Sequence, residues 1–101
     1  MIAVIFELTP RDGYADDYFD AAAALKREVE AIEGFISVER FESLTKPGKY
    51  LSISLWQDED AVKAWRENMN HMAAQEKGKN DIFASYHIRV AEVLREYTSG
   101  N

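Results

Sequence analysis

Read for hydrophobic and polar positions, the chain alternates between two periods. Ile2 to Leu8 is nearly all apolar, the pattern of a strand covered on both faces, and Thr9-Pro10-Arg11-Asp12-Gly13 breaks it. From Tyr14 the apolar positions are Tyr14, Tyr18, Ala22, Leu25, Val29 and Ile32, at three- and four-residue steps, which predicts an amphipathic helix. Asp16 and Asp17 fall in its first turn, where the helix dipole favours carboxylates, and Gly34 is placed to end it. Phe35 to Leu44 reads as a second strand, closed by the loop Thr45-Lys46-Pro47-Gly48-Lys49.

The stretch from Leu51 to Gly78 organises the rest. Leu51, Ile53 and Leu55 alternate with Ser52, Ser54 and Trp56, a strand with two unlike faces. Asp58 then offers an N-cap, and Ala61, Val62, Trp65, Met69 and Met72 recur at helical steps to give one apolar stripe. Asn68, His71 and Gln75 line one edge of that stripe at i, i+3 and i+7. A polar seam beside an aromatic face suits a small pocket under a helix, and it equally describes the rim of an ordinary core helix. Lys77 to Asp81 is a polar break. Ile82 to Tyr97 reads as a long last strand, with Ile82, Ala84, Tyr86, Ile88 and Val90 on one face and a bulge near Ala91 to explain the later slip in phase.

The order is βαββαβ, which predicts an α+β, ferredoxin-like sandwich: a four-stranded antiparallel sheet with two helices on one face. We expect a single domain over residues 1–97 and a polar tail over 98–101. Apolar residues fall on both faces of several strands, so a bare sheet face would expose a large patch. This predicts a homodimer packed sheet to sheet, with the last strand reaching the partner. Arg89 is expected to pair there with Glu39 or Glu42.

Composition narrows the classes further. The 101 residues carry 18 acidic against 12 basic side chains, a net charge of −6, which disfavours nucleic acid and anionic membrane surfaces. No apolar run approaches a membrane span, and the first residues lack a basic leader, so the cytoplasm is the expected location. With no cysteine there is no thiolate metal site or cysteine nucleophile. The glycines are isolated, which removes phosphate loops and nucleophile elbows.

Gly34-Phe35, the run VERFESL, YLSISLWQDEDAVKAW, NHMAAQEKGK and the ending IFASYHIRVAEVLREY together resemble the antibiotic biosynthesis monooxygenase (ABM) domain family over nearly the whole chain. The resemblance implies a dimeric α+β barrel with a pocket between helices and sheet in each protomer. It implies a monooxygenase that works without a bound cofactor, turning a small hydroxylated aromatic or quinol and O2 into a quinone. Such chemistry needs a base of near-neutral pKa, donors for the developing oxyanion and apolar walls. His71 is the catalytic candidate, since an imidazole titrates near ~6.5. Trp65 would be a core anchor and a pocket wall, Asn68 and Gln75 would orient a phenolic oxygen, Tyr86 would donate to an oxyanion, and Met72 would fill beside them. No metal site is expected.

The family also implies two alternatives: haem binding or degradation, and a non-catalytic small-molecule-binding or stress-response dimer. Haem-degrading members carry an asparagine on the first strand and a histidine some ten residues past a helix tryptophan. Here those places fall on Phe6 or Glu7 and on Gln75, with His71 about one turn short.

Overall fold

The computed structural model describes the backbone of residues 1–75 and 83–100, and side chains over 1–68 and 83–100. The elements are β1 (Ile2–Pro10), α1 (Ala15–Glu30), β2 (Phe35–Glu42), β3 (Tyr50–Trp56), α2 (Glu59–Gln75) and β4 (Phe83–Glu92). They form one antiparallel sheet in the order β2-β3-β1-β4, the ferredoxin-like arrangement expected from the order of elements.

Cross-strand partners share a face, so the register assigns every side chain to one of two surfaces. Four rows cross the surface that the helices cover. They are Phe35–Trp56–Ile2–Glu92, Val38–Ser54–Val4–Val90, Arg40–Ser52–Phe6–Ile88 and Glu42–Tyr50–Leu8–Tyr86. The opposite surface carries Phe41, Leu51, Ile53, Leu55, Ala3, Ile5, Glu7, His87 and Arg89. Tyr86 and His87 therefore point to opposite faces, as their alternation requires. The surprise is β3. Its serine side faces the helices, and its leucine–isoleucine side faces away.

The core gathers at the first row. Ile2, Val29, Trp56, Ala61 and Val62 are buried together, with Val4, Ile32, Phe35 and Trp65 packed against them. Burying side chains of this size stabilises the fold by roughly 1.5–3 kcal/mol each. Trp56 is fully buried, and its indole Nε1 donates to Ser54 Oγ at 2.9 Å, satisfying the one polar atom its burial would otherwise strand. At the far row Leu8 is buried to the same degree, under Tyr18 of α1.

Asp58 caps α2 as expected, its Oδ1 accepting from the Ala61 amide at 2.9 Å. Gly34 has φ 94°, and a Cβ built there would lie 2.7 Å from the Ala61 Cβ. Its carbonyl accepts from the Gln57 amide at 2.8 Å, so the turn after α1 is pressed against the start of α2.

Two expectations are corrected. β4 ends at Glu92 instead of Tyr97, and past it the Val93 amide donates to the Met1 carbonyl at 3.0 Å. The register runs evenly through Ala91, and the irregularity lies instead at Thr9/Pro10, opposite Ser85 and Phe83, so Phe83 joins Tyr86 on the helix side. Arg89, expected to pair across the dimer interface, has a partner within its own chain. Its Nη1 donates to Glu7 Oε2 at 3.1 Å on the neighbouring strand, with Lys49 Nζ 3.8 Å from the same oxygen. Among the described residues no helix is long and apolar enough to cross a membrane.

Candidate active site

The two buried rows are separated by two rows of different character. Ser54 and Val4, then Ser52 and Phe6, form the middle of the sheet beneath the helices. Small hydroxyl side chains stand at these central positions, where a core of leucine or isoleucine would be bulkier, and aromatic rings flank them. At one end Phe35, Trp56 and Trp65 are in contact, the two indoles stacked with centroids 6.2 Å apart and planes 22° from parallel. At the other, Tyr18 touches Tyr50 (6.2 Å) and Phe83 (5.9 Å), and Phe6 meets Phe83 (5.8 Å) and Tyr86 (5.9 Å) edge-on. Two aromatic clusters thus stand on either side of the two serines.

The placement of the sequence candidates can now be stated one by one. Trp65 is half-buried and stacked on Trp56, packed against the core. Asn68 stands one turn further along α2, half-buried, and its Oδ1 is shut off from solvent with no hydrogen-bond partner among the described residues. An orphaned buried carbonyl costs roughly 1–3 kcal/mol, which makes Asn68 an acceptor waiting for a donor. Tyr86 shares a row with Leu8 and lies on the helix side, its ring at the open β4 edge and 65% exposed. His71, Met72 and Gln75 belong to the C-terminal part of α2, and their side chains lie outside the described residues. The site thus brings Trp65, Asn68 and Tyr86 to one side of the sheet.

Sequence reasoning did not bring Phe6, Tyr18, Ser52, Ser54 and Phe83 together with the candidates on the helix side. A near-continuous apolar β1 hides which of its residues face the helices. The serines of β3 are a signal that could have been read, since two hydroxyls on the face opposite Leu51, Ile53 and Leu55 mark either solvent or a cavity floor. The Tyr18 phenol is pushed above its ordinary pKa by burial, with the Arg40 guanidinium beside it pulling the other way. It therefore stays protonated and available as a donor at neutral pH.

A depression of about 470 Å³ opens at the start of α2 between Met1, Gln57, the Asp58–Asp60 run and Glu92. It is shallow and acidic, and none of the sequence candidates line it.

Comparison with known proteins adds the following. A family model described as antibiotic biosynthesis monooxygenase matches residues 1–77. A jasmonate monooxygenase of Pyricularia oryzae is 43% identical over 99 residues, covering 98% of this chain and 46% of its own length. The uncharacterised protein YqjZ of Bacillus subtilis is 38% identical over 63 residues, 62% of this chain and 54% of its own. The chain thus spans about half the length of these curated relatives. Among solved structures, a candidate antibiotic biosynthesis monooxygenase of Deinococcus radiodurans superposes with a TM-score of 0.81 over the whole of both chains at 15% identity. The haem-degrader MhuD of Mycobacterium tuberculosis, with two haems bound in its active site, superposes at 0.75 over 97% of this chain and 100% of its own at 16% identity. At such identities these two likenesses concern the fold.

Proposed function

Because this chain belongs to the antibiotic biosynthesis monooxygenase family, we propose that it is a cofactor-independent monooxygenase acting on a small hydroxylated aromatic. The observation that carries the reading is the 43% identity, along 98% of the chain, to a protein named as a monooxygenase. The aromatic clusters on the helix side of the sheet support it. Jasmonate remains the substrate of that relative, of which this chain covers less than half.

The electrons come from the substrate itself. In an anthrone, one oxygen atom of O2 replaces the two hydrogens of the ring methylene, giving the quinone carbonyl, and the other oxygen leaves with those hydrogens as water. His71 takes the phenolic proton that makes the ring electron-rich enough to meet O2. Asn68 Oδ1 accepts from a substrate hydroxyl, Tyr86 and Gln75 stabilise negative oxygen, and Trp65 with Met72 holds the ring in place and excludes water. A haem-degrading role fits the residues less well. The place where haem degraders carry asparagine falls on Phe6 or Glu7, and Phe6 is in ring contact with Phe83 and Tyr86 while Glu7 accepts from Arg89. The active unit in this proposal is a homodimer packed through the sheet faces away from the helices.

The test is oxygen uptake by metal-free protein with 1,8-dihydroxyanthrone and with menadiol, beside an autoxidation control without protein. We expect protein-dependent uptake of one O2 per anthrone and quinone formation. His71→Ala should lower kcat by roughly 10²–10⁴-fold with the fold intact. A parental rate in that variant ends the assignment of the base, and no uptake with any phenol ends the oxygenase reading. Haemin titration followed by absorption then separates haem binding from simple ligand binding.

A further inference from the structure

Leu44, at the tip of the hairpin between β2 and β3, is 99% exposed. The loop around it is closed on itself. The Ser43 amide donates to the Lys49 carbonyl at 2.9 Å, and the Lys46 amide donates to Ser43 Oγ at 3.0 Å. A single exposed leucine is ordinary, and the position of this one is what matters. β2 is one edge of the sheet and β4 the other. Leu44 lies beyond the row Glu42–Tyr50–Leu8–Tyr86, whereas exposed Leu94 and Tyr97 follow the end of β4, past the pair Ile2–Glu92. The length of β1 from Ile2 to Leu8, ~20 Å, and the width of the sheet separate the hairpin from that end of β4. The two apolar projections therefore leave from diagonally opposite corners. On the face away from the helices, the hairpin corner carries the half-exposed ring of Phe41 and the β4 corner carries only the methyl of Ala91.

We propose that this face takes a second copy of the chain with the two sheets crossed near a right angle, and that the β2–β3 hairpin of each copy clasps the segment after β4 of the other, Leu44 against Leu94. The reason is self-complementarity, which a two-fold interface demands of a single surface. An axis lying between the sheets along the other diagonal exchanges the two corners. It lays the hairpin corner of each copy over the β4 corner of the other, and does so twice. Phe41 of one copy then falls over Ala91 of the other, a large ring over a small side chain. Ile5 and Ile53, neighbours at the centre of the face, interleave with their counterparts. Near-perpendicular crossing is one of the two ways in which sheets pack face to face. The other, with strands nearly aligned, lays hairpin and tail at different corners and leaves both in water.

This inference rests on the homodimer of the proposed function and adds how the two copies cross and which segments meet. The chain has no cysteine, so introduced thiols are the only ones to react. Leu44→Cys and Leu94→Cys proteins are prepared separately, treated with a short bismaleimide alone, and then treated after being mixed and concentrated together. We expect each variant alone to stay unlinked and the mixture to give a covalent species of twice 11.5 kDa. Sedimentation supplies a second readout that needs no cross-link. Leu44→Ser should weaken dimerisation at least roughly tenfold, the worth of one leucine returned to water. In a chain whose Leu94 and Tyr97 are already serine, the same change should cost nothing further, because the contact is already lost. A dimer whose mixture stays unlinked, a link within either single variant, or a Leu44→Ser effect that adds in full to the other two overturns the clasp and leaves the homodimer standing. A chain that stays single at high micromolar concentration overturns both, and oxygen uptake is decided separately.

Discussion

Glu7 shows what a single residue's surroundings do to its chemistry. On the sheet face away from the helices it receives a hydrogen bond from Arg89, and Lys49 and His87 add positive charge nearby. The Arg89 hydrogen bond, ahead of the nearby charges, holds its carboxyl below the usual carboxylate range against an opposing effect of desolvation. A depressed native pKa means stability that is fully present above the unfolded carboxyl value and lost as pH falls through the native one. Glu7→Gln should therefore cost stability at pH 7 and progressively less as the solution is acidified below about pH 4.5, the two proteins converging in strong acid. Urea midpoints at pH 7, 4 and 3 check this, and a gap that widens in acid would contradict it. The pairing itself was not legible in the sequence. Glu7 and Arg89 are 82 positions apart, and only the β1–β4 register makes them neighbours. Trp65 and Asn68 were legible, because helical spacing fixes their side of α2 without any tertiary knowledge.

At the scale of elements, the turn at Gly34 decides how α1 hands over to α2. The glycine was readable as a helix stop, and the reason it must be glycine emerges from the packing. Its positive φ already strains any side chain, and the Ala61 Cβ at 2.7 Å from the place a Cβ would occupy leaves no room for one. Gly34→Ala should destabilise by roughly 1–3 kcal/mol, lowering Tm by roughly 4–8 °C per kcal/mol. The partner change Ala61→Gly should relieve the clash but not the backbone strain, so the double variant recovers part of the loss. Differential scanning of the three variants measures both. β3 carries the opposite lesson. Period-2 alternation announced two faces and could not say which met the helices, since Leu51, Ile53 and Leu55 outweigh two serines on any hydrophobic scale. The sheet resolves the matter through Trp56, whose bulk fills the core at the end of the serine face. A serine-bearing core face looks, in the sequence, like a solvent face.

For the molecule as a whole, that inversion leaves a surface to account for. The side of the sheet away from the helices presents Ile5, Leu51, Ile53 and Leu55 at its centre and Phe41, 45% exposed, at its rim. After β4 the chain leaves the sheet with Leu94 77% and Tyr97 86% exposed. A patch of this kind with apolar side chains projecting beside it is the anatomy of an interface, and a stable one needs on the order of 800 Å² per partner. A second copy of the same chain would meet like with like across a two-fold axis, and the projecting segment would lie along the partner. Light scattering on the eluted protein should accordingly give twice the 11.5 kDa of the chain. Ile53→Glu would set an unpaired carboxylate at the centre of the patch and should shift the species to one chain, because a buried charge without a partner costs several kcal/mol. Leu94→Ser with Tyr97→Ser removes only the projecting contacts and should weaken the dimer without abolishing it. An unaltered protein that elutes at 11.5 kDa at high micromolar concentration would leave the patch to some other partner.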